Sequence, residues 1–275
     1  MLDYYYIVDY KVKIVIYIGR LWTIQYVKKI VIVMVLFLFL YWGTEKIFAD
    51  SSILEKSAPK KLASASLIPR QIALEEKQPI LASSRILDVP LLNQLSAPRL
   101  YNGCEVTSLA MLLNFYGYNV TKNELANKIK RVPLNLPGNK KGNPNVGFVG
   151  DMEDGPGLAV YNGPIFDLAK QYAGDKAVNL TGSTFDELLK MVNQGAPVWI
   201  ITTTSFAPVS VFEKWETPQG TIEVTFSEHS VVITGYDEDS IYINDPYGYK
   251  NRKVDRENFI AAWKQMGRQA VTIDA

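Results

Sequence analysis

His229-Ser230-Val231-Val232-Ile233-Thr234-Gly235-Tyr236, then Asp237-Glu238-Asp239-Ser240, then Ile241-Tyr242-Ile243-Asn244-Asp245-Pro246 is the stretch on which the fold turns. Two runs rich in β-branched and aromatic residues flank a short acidic turn, the pattern of an antiparallel hairpin. With the turn centred near 237–239, position 229 lies opposite 245–248 on the returning strand. Asp245 then falls within about a rung of His229, where its carboxylate can accept a bond from the imidazole. Residues 229, 231 and 233 share one face, as do 241, 243 and 245. Pro246 cannot donate to a ladder, so pairing ends there and Asp245 stands at the open end of the sheet.

Outward from this hairpin, further short runs read as strands: 198–203, 221–226 and 270–273, with a helix over 256–266 between the hairpin's second strand, 241–244, and 270–273. The chain before them is helical. Val106, Leu109, Ala110 and Leu113 recur at helical spacing and Gly117 is a natural stop, which predicts a helix over 104–116. Thr121 with Glu124 and Thr184 with Glu187 make capping boxes for two more helices, the first running to about Ile129 and the second ending before Gly195. Pro164 at a first helical position and Gly174 beyond the last bracket another. Residues 133–163 are crowded with Gly, Pro and Asn and read as a long irregular loop in which short strands can hide, a kind of segment that is more often functional than idle. Helices first and a mostly antiparallel sheet after them is an α+β arrangement.

Composition restricts the chemistry. Among 275 residues there is one cysteine, Cys104, and one histidine, His229. No internal disulfide can form, and a Cys/His structural zinc site lacks its ligands. Lys+Arg number 29 and Asp+Glu 28, so there is no basic excess of the kind nucleic-acid binding requires. The balance hides an asymmetry, net +5 over residues 1–85 and −4 over 86–275.

Cys104 supplies the partner for the His229–Asp245 pair. A thiol in the first turn of a helix feels the positive end of the macrodipole, which favours the thiolate and lowers the pKa. Nucleophile, imidazole and orienting carboxylate together are the logic of a cysteine hydrolase, and amides at the helix start can hold an oxyanion. Singly, each residue also has a plain reading: a small buried hydrophobe, a structural histidine and a turn aspartate. A free thiol in an exported chain adds weight to the catalytic reading, because exported cysteines are commonly paired. Glu105 opposes thiolate formation if it points inward.

Four ordered segments carry a family likeness: Val89-Pro90-Leu91-Leu92-Asn93-Gln94, Gly103-Cys104-Glu105-Val106-Thr107-Ser108-Leu109-Ala110-Met111, His229 to Asp237, and Ile241-Tyr242-Ile243-Asn244-Asp245-Pro246-Tyr247-Gly248. They resemble the C39-like cysteine peptidases of bacteria, a papain-like clan, over about residues 86–275. Within it, the chain looks closest to the stand-alone exported group. The resemblance implies a papain-like fold, Cys104 as nucleophile, His229 as general base, Asp245 as its orienting residue, and Gln94 as a donor to the oxyanion. It implies no cofactor and no metal. The transporter fused to the bacteriocin-processing members is missing, so their substrate does not carry over.

Lys28 and Lys29 precede the apolar run Ile30 to Gly43, and Ala49 closes a short polar stretch, the layout of a signal peptide or signal anchor over 28–49. Residues 1–27 are unassigned. Residues 50–85, with Pro59, Pro69 and Pro79, read as a flexible tether, and 86–275 as the peptidase domain. The expected protein is thus an exported cysteine hydrolase, extracellular or held on the outer membrane face by its apolar segment. Its substrate would be an extracellular or cell-envelope peptide or protein, with no nucleic-acid partner. Two rival readings stand beside it: an envelope-binding or interaction domain that kept the fold without catalysis, and an acyl transferase using the same triad. Asp151, Glu153 and Asp154 lack the spacing of a calcium loop and read as a solvated loop, and Trp199, Trp215 and Trp263 as core.

Overall fold

The computed structural model describes residues 82–274, so the expectations for residues 1–27, 28–49 and most of 50–85 lie outside the described residues. Among the described residues no helix is long and apolar enough to cross a membrane.

A seven-stranded sheet organises the molecule. Its members are β1 (Arg85–Ile86), β6 (Ala177–Asn179), β7 (Val198–Thr203), β10 (Glu228–Tyr236), β11 (Ser240–Asp245), β12 (Tyr249–Asp255) and β13 (Ala270–Ile273). The order is β12-β11-β10-β7-β13-β6, with β1 added to the end of β10, and every pairing is antiparallel. All residues of β7 and β10 are buried, because both faces of these central strands are covered. Alternation divides them. Trp199 and Ile201 join the core on the side of helix α1 (Cys104–Phe115), while Val198, Ile200, Val231 and Ile233 pack with α4 (Phe185–Gln194) and α5 (Arg256–Gln265) on the other.

Helix α1 is the central one. Every residue from Cys104 to Leu113 is buried, since the sheet covers one side and α2 (Lys122–Lys128) and α3 (Asn162–Ala173) cover the other. The helix starts after Gly103, whose Cβ position would fall 2.5 Å from Leu100 Cβ; only glycine fits there. Helix α4 has the full capping box of Thr184 and Glu187 and ends on Gly195 in the left-handed region. At Thr121 only half the box forms: its hydroxyl accepts the Glu124 N–H, but the Glu124 carboxylate turns to Lys128 and Tyr172.

Two sequence readings are corrected and a third is filled in. Helix α3 begins at Asn162, so Pro164 is its third residue and not its first; a proline is tolerated there because first-turn N–H groups have no intrahelical partner. Residues 133–163 do hide short strands. Arg131–Val132 (β2) pairs in parallel with Phe148–Val149 (β5), Asn135–Leu136 (β3) pairs with Lys140–Lys141 (β4), and Phe148, Val149 and Met152 are fully buried. Strand β12, together with β8 (Glu213–Thr217), which pairs with β9 (Gly220–Val224), was hidden by polar composition.

Candidate active site

The hairpin places the histidine and the aspartate as its register requires. Val232 pairs with Asn244 and Ile233 with Ile243, after a bulge near Gly235. Continuing that register sets 229 opposite 247, and the Tyr247 ring indeed stacks on His229 with centroids 4.9 Å apart. His229 Nε2 lies 3.0 Å from Asp245 Oδ1, both side chains being fully buried. Asp245 Oδ1 also accepts the Tyr247 N–H at 3.0 Å, and Oδ2 accepts from Arg252 at 2.9 Å. Burial works against the Asp245 anion. The His229 contact, the Tyr247 amide and Arg252 outweigh it, so the carboxyl is held below its ordinary range. Arg252 is itself steadied between the Phe206 and Tyr249 rings. With Nε2 committed to Asp245, Nδ1 is the imidazole nitrogen left for chemistry.

Cys104 is the first residue of α1 and is nearly buried. No side chain caps this helix, which leaves first-turn amides available to an oxyanion. The Ser230 backbone, one residue along from His229, acts on the sulfur in the sense that favours its anion. The Ser108 hydroxyl donates to the Ser230 carbonyl at 3.0 Å, fixing the helix to the strand that carries the histidine. Among the described residues no direct hydrogen bond joins Cys104 and His229; the contacts of the sulfur are with Glu105 and Glu228. Tyr247 is close enough to both that burial first, and then the Cys104 sulfur, raise its phenol.

The expected low thiol pKa is not what the structure supports. Cys104 is pushed well above the ordinary value by burial, then by the negative charges of Glu105 and Glu228. Glu105 does point inward: it is fully buried, its Oε1 accepts the Val160 N–H at 2.6 Å and its Oε2 is 3.3 Å from the sulfur. Burial raises the Glu105 carboxyl to about 7. Glu228 Oε2 is 4.0 Å from the sulfur, and burial followed by the Glu105 charge raises this carboxyl too. Desolvation and two carboxylates overcome the helix dipole, whose effect is only about 0.3–2 kcal/mol.

Glu228 was missed from sequence. Its signal was the strand period: 228 and 230 share the face opposite 229, so a residue flanking His229 had to turn toward the helix. Gln94 lies beside the site and is buried, but its amide is engaged elsewhere. Nε2 donates to the Tyr101 carbonyl at 2.9 Å and the Leu100 carbonyl at 3.3 Å, while Oε1 has no hydrogen-bond partner. Its backbone N–H donates to Pro246, tying the 94–101 turn to the end of β11.

The acidic residues of the 151–154 loop are all occupied locally. Asp151 Oδ1 accepts two backbone N–H groups, Glu153 pairs with Arg131 and Asp154 with Arg99. Trp199 and Trp263 are fully buried, with Trp199 Nε1 donating to the Glu105 carbonyl, and Trp215 is buried as well.

The sequence that folds into this helix and sheet matches the profile described as the Peptidase_C39 like family over residues 86–271. The chain belongs to that family. The uncharacterized protein YvpB of Bacillus subtilis is 52% identical over 242 residues, covering 88% of this chain and 96% of that protein. A crystal structure of a candidate C39-like peptidase from Bacillus anthracis superposes with a TM-score of 0.68 at 46% identity, covering 70% of this chain and 98% of that one. The α+β, papain-like architecture implied by the sequence resemblance therefore holds.

Proposed function

We propose that this C39-like chain is an exported cysteine peptidase acting on an extracellular or cell-envelope peptide, with Cys104 as nucleophile, His229 as proton carrier and Asp245 as its orienting group. The observation that carries the reading is the buried His229 Nε2–Asp245 contact at 3.0 Å, which leaves Nδ1 free on the strand to which the Cys104 helix is bonded through Ser108 and Ser230.

Because the resting thiol is protonated, its proton leaves as the sulfur attacks the substrate carbonyl, and no preformed thiolate–imidazolium pair is needed. Nδ1 takes that proton, and the carbonyl oxygen becomes an oxyanion facing the uncapped first-turn amides of α1. The imidazolium then protonates the departing amine as the C–N bond breaks, leaving a thioester on Cys104. Water, deprotonated by the same nitrogen, hydrolyses it and restores the thiol. Asp245 keeps the ring in one tautomer and stabilises its cation.

Incubation of the full chain with a complex peptide mixture, read by mass spectrometry of new termini, tests the proposal. Cleavage by the wild type that disappears in Cys104→Ala and His229→Ala supports it. A folded wild type that cleaves nothing returns the chain to the binding-domain reading, and amine incorporation without hydrolysis to acyl transfer.

A further inference from the structure

The catalytic account gives no role to two carboxylates placed against the nucleophile. Cys104 Sγ, a carboxylate oxygen of Glu105 and one of Glu228 all lie within 4.8 Å of one another, and all three residues are buried. Glu105 Oε1 is used by Val160, but its Oε2 is turned to the sulfur. Glu228 is only 7% exposed and its Oε1 has no hydrogen-bond partner. A buried carboxylate oxygen left unsatisfied is costly and calls for a positive or donating ligand.

We propose that Cys104, Glu105 and Glu228 form a binding site for a thiophilic divalent cation of the zinc type, and that its occupation withholds the nucleophile. Tetrahedral zinc, with bonds of about 2.3 Å to sulfur and about 2.0–2.2 Å to oxygen, sets a sulfur and an oxygen ligand about 3.6 Å apart. The two separations here, 3.3 and 4.0 Å, lie on either side of that edge. The donor set selects among cations. Calcium and magnesium take oxygen ligands in sets of about six or more, whereas one thiolate with two carboxylates suits a borderline-soft ion. Three protein ligands leave the fourth position for water. On binding, the three groups release the protons they hold, and the divalent charge neutralises most of the negative charge that results. This donor set escapes the exclusion of a Cys/His zinc cluster, because two of its three ligands are carboxylates.

Binding of the cation stands independently of the peptidase reading; its inhibitory consequence rests on that reading. Chelator-treated full chain is titrated with Co²⁺ as a spectroscopic probe, and in parallel Zn²⁺ is added before alkylation with iodoacetamide. The expected result is a thiolate-to-cobalt charge-transfer band saturating at one equivalent, lost in Cys104→Ser. In Glu228→Gln the affinity should fall about tenfold or more, the scale on which site partners act. Glu105→Gln is the second arm should the first variant not fold. One equivalent of Zn²⁺ should protect Cys104 from alkylation until chelator is added. Absence of the band, or a band indifferent to both carboxylate variants, overturns the proposal. Failure of the peptidase reading would look different: the cobalt band intact, with no hydrolysis by metal-free protein.

Discussion

His229 reaches Asp245 through Nε2, and the carboxylate oxygen it meets is also held by the Tyr247 amide, the residue whose ring lies flat on the imidazole. One short loop after β11 thus fixes the aspartate, the tautomer and the plane of the ring together.

Asp245→Asn is expected to lower kcat by roughly 10²–10⁴-fold with little change in KM, the range for loss of a group supporting acid–base transfer. It also carries a pH signature. The folded Asp245 carboxyl is held below its ordinary range, so its anion contributes stability above the unfolded value of about 3.9, and that contribution is lost as pH falls through the folded value. Urea unfolding at a series of acid pH values should show a flatter acid limb in the variant than in the wild type.

Glu228→Gln removes one of the two charges that raise the Cys104 thiol. In chelator, at alkaline pH where that carboxylate is ionised in the wild type, alkylation of Cys104 should be several-fold faster in the variant, because more thiolate is present. An equal or slower rate would show that the Glu228 charge does not reach the sulfur. Following iodoacetamide incorporation by intact mass measures it.

Gln94 separates two roles by one substitution. If its amide reaches the oxyanion during turnover, releasing the longer bond to Leu100 at 3.3 Å, Gln94→Ala should lower kcat on the order of 10²-fold. If it only anchors the 94–101 turn, the loss should appear as about 1–3 kcal/mol of stability with kcat nearly kept. The resemblance favours the first outcome; kinetics and thermal unfolding of the same preparation distinguish them.

Gly103→Ala places a Cβ 2.5 Å from Leu100 Cβ at the entrance to α1. The first helical turn must shift, and with it Cys104. A loss of about 1–3 kcal/mol in stability is expected, together with a fall in kcat larger than that stability loss would cause under conditions where the variant is folded. Denaturant unfolding and single-turnover kinetics check the two parts.

The hairpin was readable because side-chain alternation and a tight acidic turn constrain register within a few positions, which is why Asp245 could be set near His229 from sequence. Helix α1 was readable from its apolar spacing, and its burial on all sides agrees with residues such as Ala110 and Leu112 having no polar face to offer. The thiol environment was not readable. The helix dipole can be inferred locally, but the desolvation and the Glu228 charge come from a residue 124 positions away. Periodicity likewise could not find β2 to β5, which are two residues long, or β12, whose Tyr249 and Lys250 face solvent at the sheet edge. Their pairings depend on partners rather than on their own composition.

Trapping with a peptide that carries a carbon electrophile in place of the scissile carbonyl tests the central claim most directly. Intact mass and fragment sequencing of the full chain should show a single adduct on Cys104 in the wild type, and its rate of formation should fall by at least about 10²-fold in His229→Ala. An adduct forming equally fast without the imidazole, or a wild-type Cys104 that never reacts in chelator while the protein is folded, would contradict the account.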